Sequence, residues 1–198
     1  MEEFLEKSKY IDYDSALIVS KTIELFHNDM SDIEKSHVAY LYVRDEIPHS
    51  FDCRPQTITA FASDVLKFKT GICHAKANLL AALLRSQGIP TGFCFQHLTL
   101  VEDDSKGYCL HCYNAIRLND RWIKVDARGN TNGICAQFSL DKPVLAFTNR
   151  VQYDEYFFEG IYLMPDMPTM KMLEHAKTIQ DVIDGLPEKP SGIPSIYI

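Results

Sequence analysis

The spacing of apolar residues divides the chain into a helical first half and a strand-rich second half. Residues 13–28 place Leu17, Ile18, Leu25 and Phe26 among polar neighbours, the pattern of an amphipathic helix. A second helix is expected to open at Ser31, where Glu34 three residues on completes a capping box, and to stop before Pro48. Residues 59–68 predict a shorter helical segment. From Cys73 to Leu84 the chain is almost entirely Ala, Leu, Lys and Asn, with Thr70 available as N-cap and Gly88 and Pro90 as the stop. Apolar side chains at Ala75, Ala77 and each position from Leu79 to Leu84 cover nearly the whole circumference, so this helix is expected to be central and buried. Strands are predicted at 91–100, 108–117 and 121–126. The last segment predicts a strand at 157–163, a helix at 169–183 and an extended, proline-containing tail from Pro187. Helices followed by strands give an α+β fold, an antiparallel sheet packed against the Cys73 helix.

That helix begins with a thiol. A cysteine attacks as thiolate, and unpaired N–H groups and the positive dipole end at a helix N-terminus favour that form. A base and an orienting acid follow from the hairpin. Asn119-Asp120 suits a two-residue turn, and with that turn Tyr113 faces Asp126 while His111 lies two residues along on the same face. His111 and Asp126 then form a diagonal pair with Cα atoms roughly 7–8 Å apart. A three-residue loop would reverse the parity and separate them. Rivals exist for both roles. His74 adjoins Cys73, but helix neighbours point about 100° apart; His97 ends the preceding strand; Asp120 and Asp141 are alternative acids, Asp120 being already suited to the turn.

Cys73, His111 and Asp126, in that order, resemble the transglutaminase-like superfamily of papain-type cysteine enzymes. The resemblance covers roughly residues 38–130. It also rests on Val43-Arg44-Asp45-Glu46-Ile47-Pro48, Ala62-Ser63-Asp64-Val65-Leu66, the run from Leu79 to Arg85 closing in Gly88-Ile89-Pro90, and Arg121-Trp122-Ile123-Lys124-Val125-Asp126. It implies a catalytic triad of Cys73, His111 and Asp126 on a papain-like core, and no obligatory cofactor. The segment Cys112-Tyr113-Asn114 departs from the more uniformly apolar strand of many members. From about Cys135 onward no motif matches, and in this family such extensions often shape the substrate cleft.

The chemistry expected is acyl transfer through a thioester: hydrolysis of a peptide-like amide, with transglutaminase-type crosslinking as an alternative and a catalytically silent binding domain as another. A thioester-dependent acyltransferase is less favoured, since no Gly-rich phosphate loop is present to hold a nucleotide-bearing donor. The Cys73 amide is the natural first oxyanion donor, and Gln56, Tyr40 and Gln96 are candidates for the second. Trp122 is expected to pack the hairpin onto the helix. Arg128 could anchor an acidic substrate group or pair with a carboxylate. Cys109-Leu110-His111-Cys112, with Cys94 and His97 nearby, invites a zinc reading, but Cys109 and Cys112 on one strand point to opposite faces. A redox pair belongs at a strand-to-helix junction instead.

Composition fits one domain over residues 1–198. The chain is 46% hydrophobic and has no linker or repeat. A net charge of −7 without a basic stripe argues against nucleic acid. Glu102-Asp103-Asp104 reads as a solvated loop, lacking the alternating ligands and glycine of a calcium loop. The acidic start has no apolar leader and no stretch reaches transmembrane length, so the expectation is a cytoplasmic, non-membrane protein with free thiols, no metal and a peptide or protein amide as substrate.

Overall fold

The computed structural model describes residues 1–131 and 133–197. Its helices are α1 (Ala16–Leu25), α2 (Asp32–Glu46), α3 (Ser50–Cys53), α4 (Ala62–Phe68) and α5 (Cys73–Arg85). Strands β1 (Thr91–Thr99), β2 (Tyr108–Leu118) and β3 (Arg121–Val125) follow, then β4 (Tyr156–Phe157), α6 (Met167–His175) and α7 (Ile179–Gly185). The fold is α+β, with an antiparallel sheet of order β3-β2-β1-β4 packed against α5.

Local chemistry explains most boundaries. Ser31 and Glu34 make both bonds of the capping box that opens α2. Every residue of α5 from His74 to Arg85 is buried. Its Ala and Leu side chains meet Val43 of α2, Val65 of α4, and Phe93, Phe95, Leu110 and Ile116 of the sheet in one core. The charged residue that ends this helix is satisfied by backbone: Arg85 donates to the carbonyls of Glu6, Thr91 and Leu163, and so ties the helix end to three separate segments.

Several expectations need correction. Thr70 does not cap α5: the N-cap is Ile72, without a side-chain bond, and the Thr70 hydroxyl contacts Ser50 Oγ at 3.0 Å. Trp122 packs edge-to-face on Phe4 at 5.0 Å, in a second cluster with Tyr113, Ala115 and Ile161, and not onto α5. Alternation decides this: Ile123 and Val125 belong to the α5 core, so Trp122 points away. The strand expected at 157–163 shortens to β4 and an isolated bridge from Tyr162 to Phe93, because Gly160 turns the chain with φ +83°. The helix expected at 169–183 is two helices, since Thr178 and Asp181 form a new capping box. The tail returns to the body, where Leu110 N donates to Pro187 O at 2.7 Å and Ser195 N to Ile161 O at 2.8 Å.

Candidate active site

Cys73 is half-buried at the first position of α5. The approach to it is held by the preceding segment. His49 and Gly71 form a parallel bridge, Ser50 N donates to Gly71 O at 3.1 Å, and Thr59 Oγ1 donates to Thr70 O at 2.9 Å. A Cβ on Gly71 would lie 3.2 Å from Ala75 Cβ and 3.3 Å from Thr59 Oγ1, so the close passage favours glycine. The Cys73 amide is not free, contrary to expectation: it donates to His49 Nε2 at 2.9 Å.

The turn between β2 and β3 has two residues. Asn119 and Asp120 both carry positive φ, +49° and +60°, as a type I′ turn requires. The register pairs Leu118 with Arg121 and Asn114 with Val125, which carries Asp126 onto the face of Tyr113 and His111. His111 Nε2 meets Asp126 Oδ2 at 2.8 Å, both side chains being removed from solvent. Asp126 also accepts from the amides of Arg128 and Ala146, each at 3.1 Å. These bonds and His111 hold its carboxyl below the ordinary range although burial acts the other way. Burial alone would push the His111 imidazole down. The negative charges of Asp126 and of a Cys73 thiolate, with hydrogen bonds to both, outweigh it and raise the group to about 10. With Nε2 bound to Asp126, Nδ1 is the nitrogen left for the thiol.

The rival groups stand elsewhere. His74 Nε2 donates to Leu110 O at 2.8 Å, and burial pushes that imidazole down to about 4. His97 is stacked between Tyr108 and Tyr156, with Nδ1 3.0 Å from Glu188 O. Asp120 is fully exposed beside Arg117, and Asp141 lies at the surface.

Cys73, His111 and His49 line one cavity of about 660 Å³. Its walls are largely apolar, with Phe51, Leu98, Val101, Phe147 and Leu186 among them. The C-terminal third therefore borders the cavity and leaves it open. Arg150 clamps one end, donating to Glu155 and to the Glu102 carbonyl. Glu155 loses hydration, yet Arg150 and the amides of Thr99 and Arg150 hold its carboxyl at about 2. Arg128 is bidentate to Asp52 at 2.6 and 3.1 Å, so of its two readings the structure has the carboxylate pair.

None of the three side chains considered as second oxyanion donors lines this cavity. Gln56 is exposed in the loop after α3. Tyr40 is wholly buried in the α2 core against Phe138, where burial raises its phenol to about 12. Gln96 is buried on β1 and donates to Asn149 Oδ1 at 2.7 Å. Cys109 lines the cavity whereas Cys112 lies in the core, on the opposite faces their spacing implies. Among the described residues all six cysteines are free, and no group of three or more His, Cys, Asp or Glu side chains is placed to hold a metal ion.

Two site residues carried no signal in the sequence. His49 stands at the N-cap of α3, a role histidine seldom takes. Lys76, one turn into α5, reads as a solvated lysine, yet its Nζ is buried and donates to the carbonyls of Ile47 and Arg128. It joins the nucleophile helix to the two loops that carry His49 and Asp126.

Comparison with known proteins supplies the family. Among solved structures, a candidate cysteine protease from Cytophaga hutchinsonii is similar at 18% identity, over 63% of this chain and 40% of its own, with a TM-score of 0.47. A TGase is similar at 15% identity over 67% of this chain and 35% of its own, with a TM-score of 0.42. The chain spans 40% or less of the length of either. No curated protein matches it. The model of the transglutaminase-like superfamily matches residues 20–127, more than half of the sequence, and the chain belongs to that superfamily.

Proposed function

We propose that the protein is a cysteine-dependent acyl-transfer enzyme that hydrolyses peptide-like amides. The observation that carries this reading is the His111 imidazole, bonded at 2.8 Å to buried Asp126 through Nε2 and lining the same open cavity as Cys73. His111 Nδ1 takes the Cys73 proton, and the thiolate attacks the amide carbonyl. The tetrahedral intermediate collapses with cleavage of the C–N bond, and the departing amine receives its proton from His111. A water then gives a proton to His111 and attacks the thioester, releasing the acid and returning Cys73. Asp126 holds the ring orientation and balances the imidazolium throughout.

Crosslinking shares the acyl-enzyme and differs only in its second acceptor. Hydrolysis is favoured because water reaches an open cavity without a dedicated channel, whereas amine transfer must exclude it. The reaction as written uses no metal or cofactor. The acid-rich charge of −7 suits a peptide or protein partner better than nucleic acid. We place the protein in the cytoplasm as a single domain without membrane attachment. A catalytic thiol works best in a reducing compartment; among the described residues no helix is long and apolar enough to cross a membrane.

The test is acylation by p-nitrophenyl acetate followed by intact mass. One acetyl group on Cys73, lost in Cys73→Ala and cleared by water, is the expected result. Adding a primary amine separates the two acceptors: amide product in preference to acid would replace hydrolysis with crosslinking. An unacylated Cys73 would remove the enzyme reading altogether.

A further inference from the structure

Two backbone N–H groups converge on the His49 ring. Phe51 N donates to Nδ1 at 3.2 Å, and Cys73 N donates to Nε2 at 2.9 Å. A neutral imidazole offers one lone pair and one N–H, so it can accept only one of these bonds. His49 is neutral: burial holds it well below 6.5, and the charges of Arg128 and Lys76 act in the same direction. One of the two donors therefore faces a ring N–H. The shorter contact assigns the lone pair to Nε2 and leaves Phe51 without its bond.

An oxygen that takes the place of the direct 2.9 Å contact between His49 Nε2 and the Cys73 amide, the ring pivoting aside to admit it, resolves the conflict. The ring then takes its other tautomer, moving one proton from Nδ1 to Nε2 through solvent with no change of charge. Nδ1 accepts from Phe51, while Nε2–H and the Cys73 N–H both point at the oxygen. The carbonyl oxygen of a group under attack by Cys73 arrives at this place, because the attacking sulfur and the donating amide belong to the same residue. Of the other donor side chains of the cavity, Arg128 is committed to Asp52 and Thr131, Arg150 is committed to Glu155, Thr99 and the Glu102 carbonyl, and Thr148 is exposed to solvent. The His49 backbone is held by the bridge to Gly71, and the residue is 5% exposed and lines the cavity.

We propose that His49 is the second donor of the oxyanion hole, its Nε2–H acting with the Cys73 amide on the oxygen of the tetrahedral intermediate. The proposal rests on the acyl-transfer reading and fills the position for which Gln56, Tyr40 and Gln96 were considered. It makes the ring a stopper of the hole in the free protein and a donor once substrate enters.

Two reactions of Cys73 separate this role from a structural one. Alkylation by iodoacetamide displaces iodide and forms no oxyanion, whereas acylation by p-nitrophenyl acetate passes through one. For His49→Ala the acylation rate is expected to fall about 10²–10³-fold with alkylation changed by less than about threefold. His49→Gln, which returns an N–H donor, should recover at least about tenfold of that loss. Equal falls in both reactions would show that His49 merely holds Cys73 in place and would overturn the proposal, as would no fall in either. A wild-type Cys73 no more reactive to iodoacetamide than the other five cysteines would instead remove the underlying acyl-transfer reading. A measurement on the unaltered chain covers the case in which both variants misfold. A small aldehyde adds to Cys73 as a thiohemiacetal and puts an oxygen in the hole; ¹⁵N spectra of labelled histidine should then show His49 as the Nε2–H tautomer. Persistence of Nδ1–H in the adduct would contradict the proposal.

Discussion

Asp126 receives His111 and two backbone amides at once, and its charge is what keeps the imidazole protonated against the cost of burial. Asp126→Asn keeps the volume and removes the charge. Acylation of Cys73 is expected to fall about 10³–10⁴-fold, with the circular dichroism spectrum retained; a loss under tenfold would mean that Asp126 serves packing alone. Lys76 gives a pH signature of opposite origin. Burial, aided by the Arg128 charge, lowers its amine from 10.5 to about 7. Between those values the unfolded chain binds a proton that the folded chain does not, so this residue makes folding more favourable as pH rises from about 7 towards 10.5. Lys76→Met leaves the Ile47 and Arg128 carbonyls without their donor, at about 1–3 kcal/mol each. The stability lost to the substitution, measured by urea unfolding, should therefore be larger at pH 9.5 than at pH 6. A loss independent of pH would place the amine in solvent. Neither residue could be weighed equally from the sequence: Asp126 follows from strand parity, whereas Lys76 depends on loops 29 and 52 residues away.

At the scale of elements, the β2–β3 turn determines whether His111 and Asp126 meet. Both turn residues sit at positive φ, where glycine is least strained. Asp120→Gly should raise stability by up to about 1 kcal/mol, and Asp120→Val should lower it by about 1–2 kcal/mol, each read from urea unfolding. The reverse order would mean that the turn is not of the type its dihedrals describe. This hairpin was legible because alternation and turn length leave little freedom. The capping box of α2 and the all-round apolar run of α5 were legible for the same reason, being encoded within a few residues of each other. Thr70 misled because a good capping residue was already engaged by Ser50, a partner twenty residues away. The one-turn helix α3 and the His49 ring escaped notice since four residues carry no periodicity, and a histidine at an N-cap has no compositional signature. The split between α6 and α7 hinges on Thr178 and Asp181, a capping box lying within what reads as one helical stretch.

For the molecule as a whole, the last third of the chain supplies part of the wall of the open cavity that the first two-thirds equip. Leu186 lines it, Pro187 O bonds the amide of Leu110, and Ile196 pairs with Ile161. Ending the chain at Gly185 should lower the melting temperature and speed alkylation of half-buried Cys109; unchanged values would show that the tail is dispensable to the cavity. Glu155 makes the same wall sensitive to acid. Its depressed carboxyl contributes stability that is present above about 4.5 and lost as pH falls towards about 2. Glu155→Gln should cost about 1–2 kcal/mol near neutrality, the half-exposed Arg150 partner moderating the loss, and progressively less below pH 4.5. The proposed reaction requires Cys73 to act as a nucleophile paired with His111. Alkylation of the native protein by a small haloacetamide from about pH 5 to 9, with each modified cysteine located by peptide mass mapping, tests this most directly. Cys73 should react first and below neutral pH, and His111→Ala should abolish that preference; a Cys73 that reacts no faster than the other five cysteines would contradict the central claim.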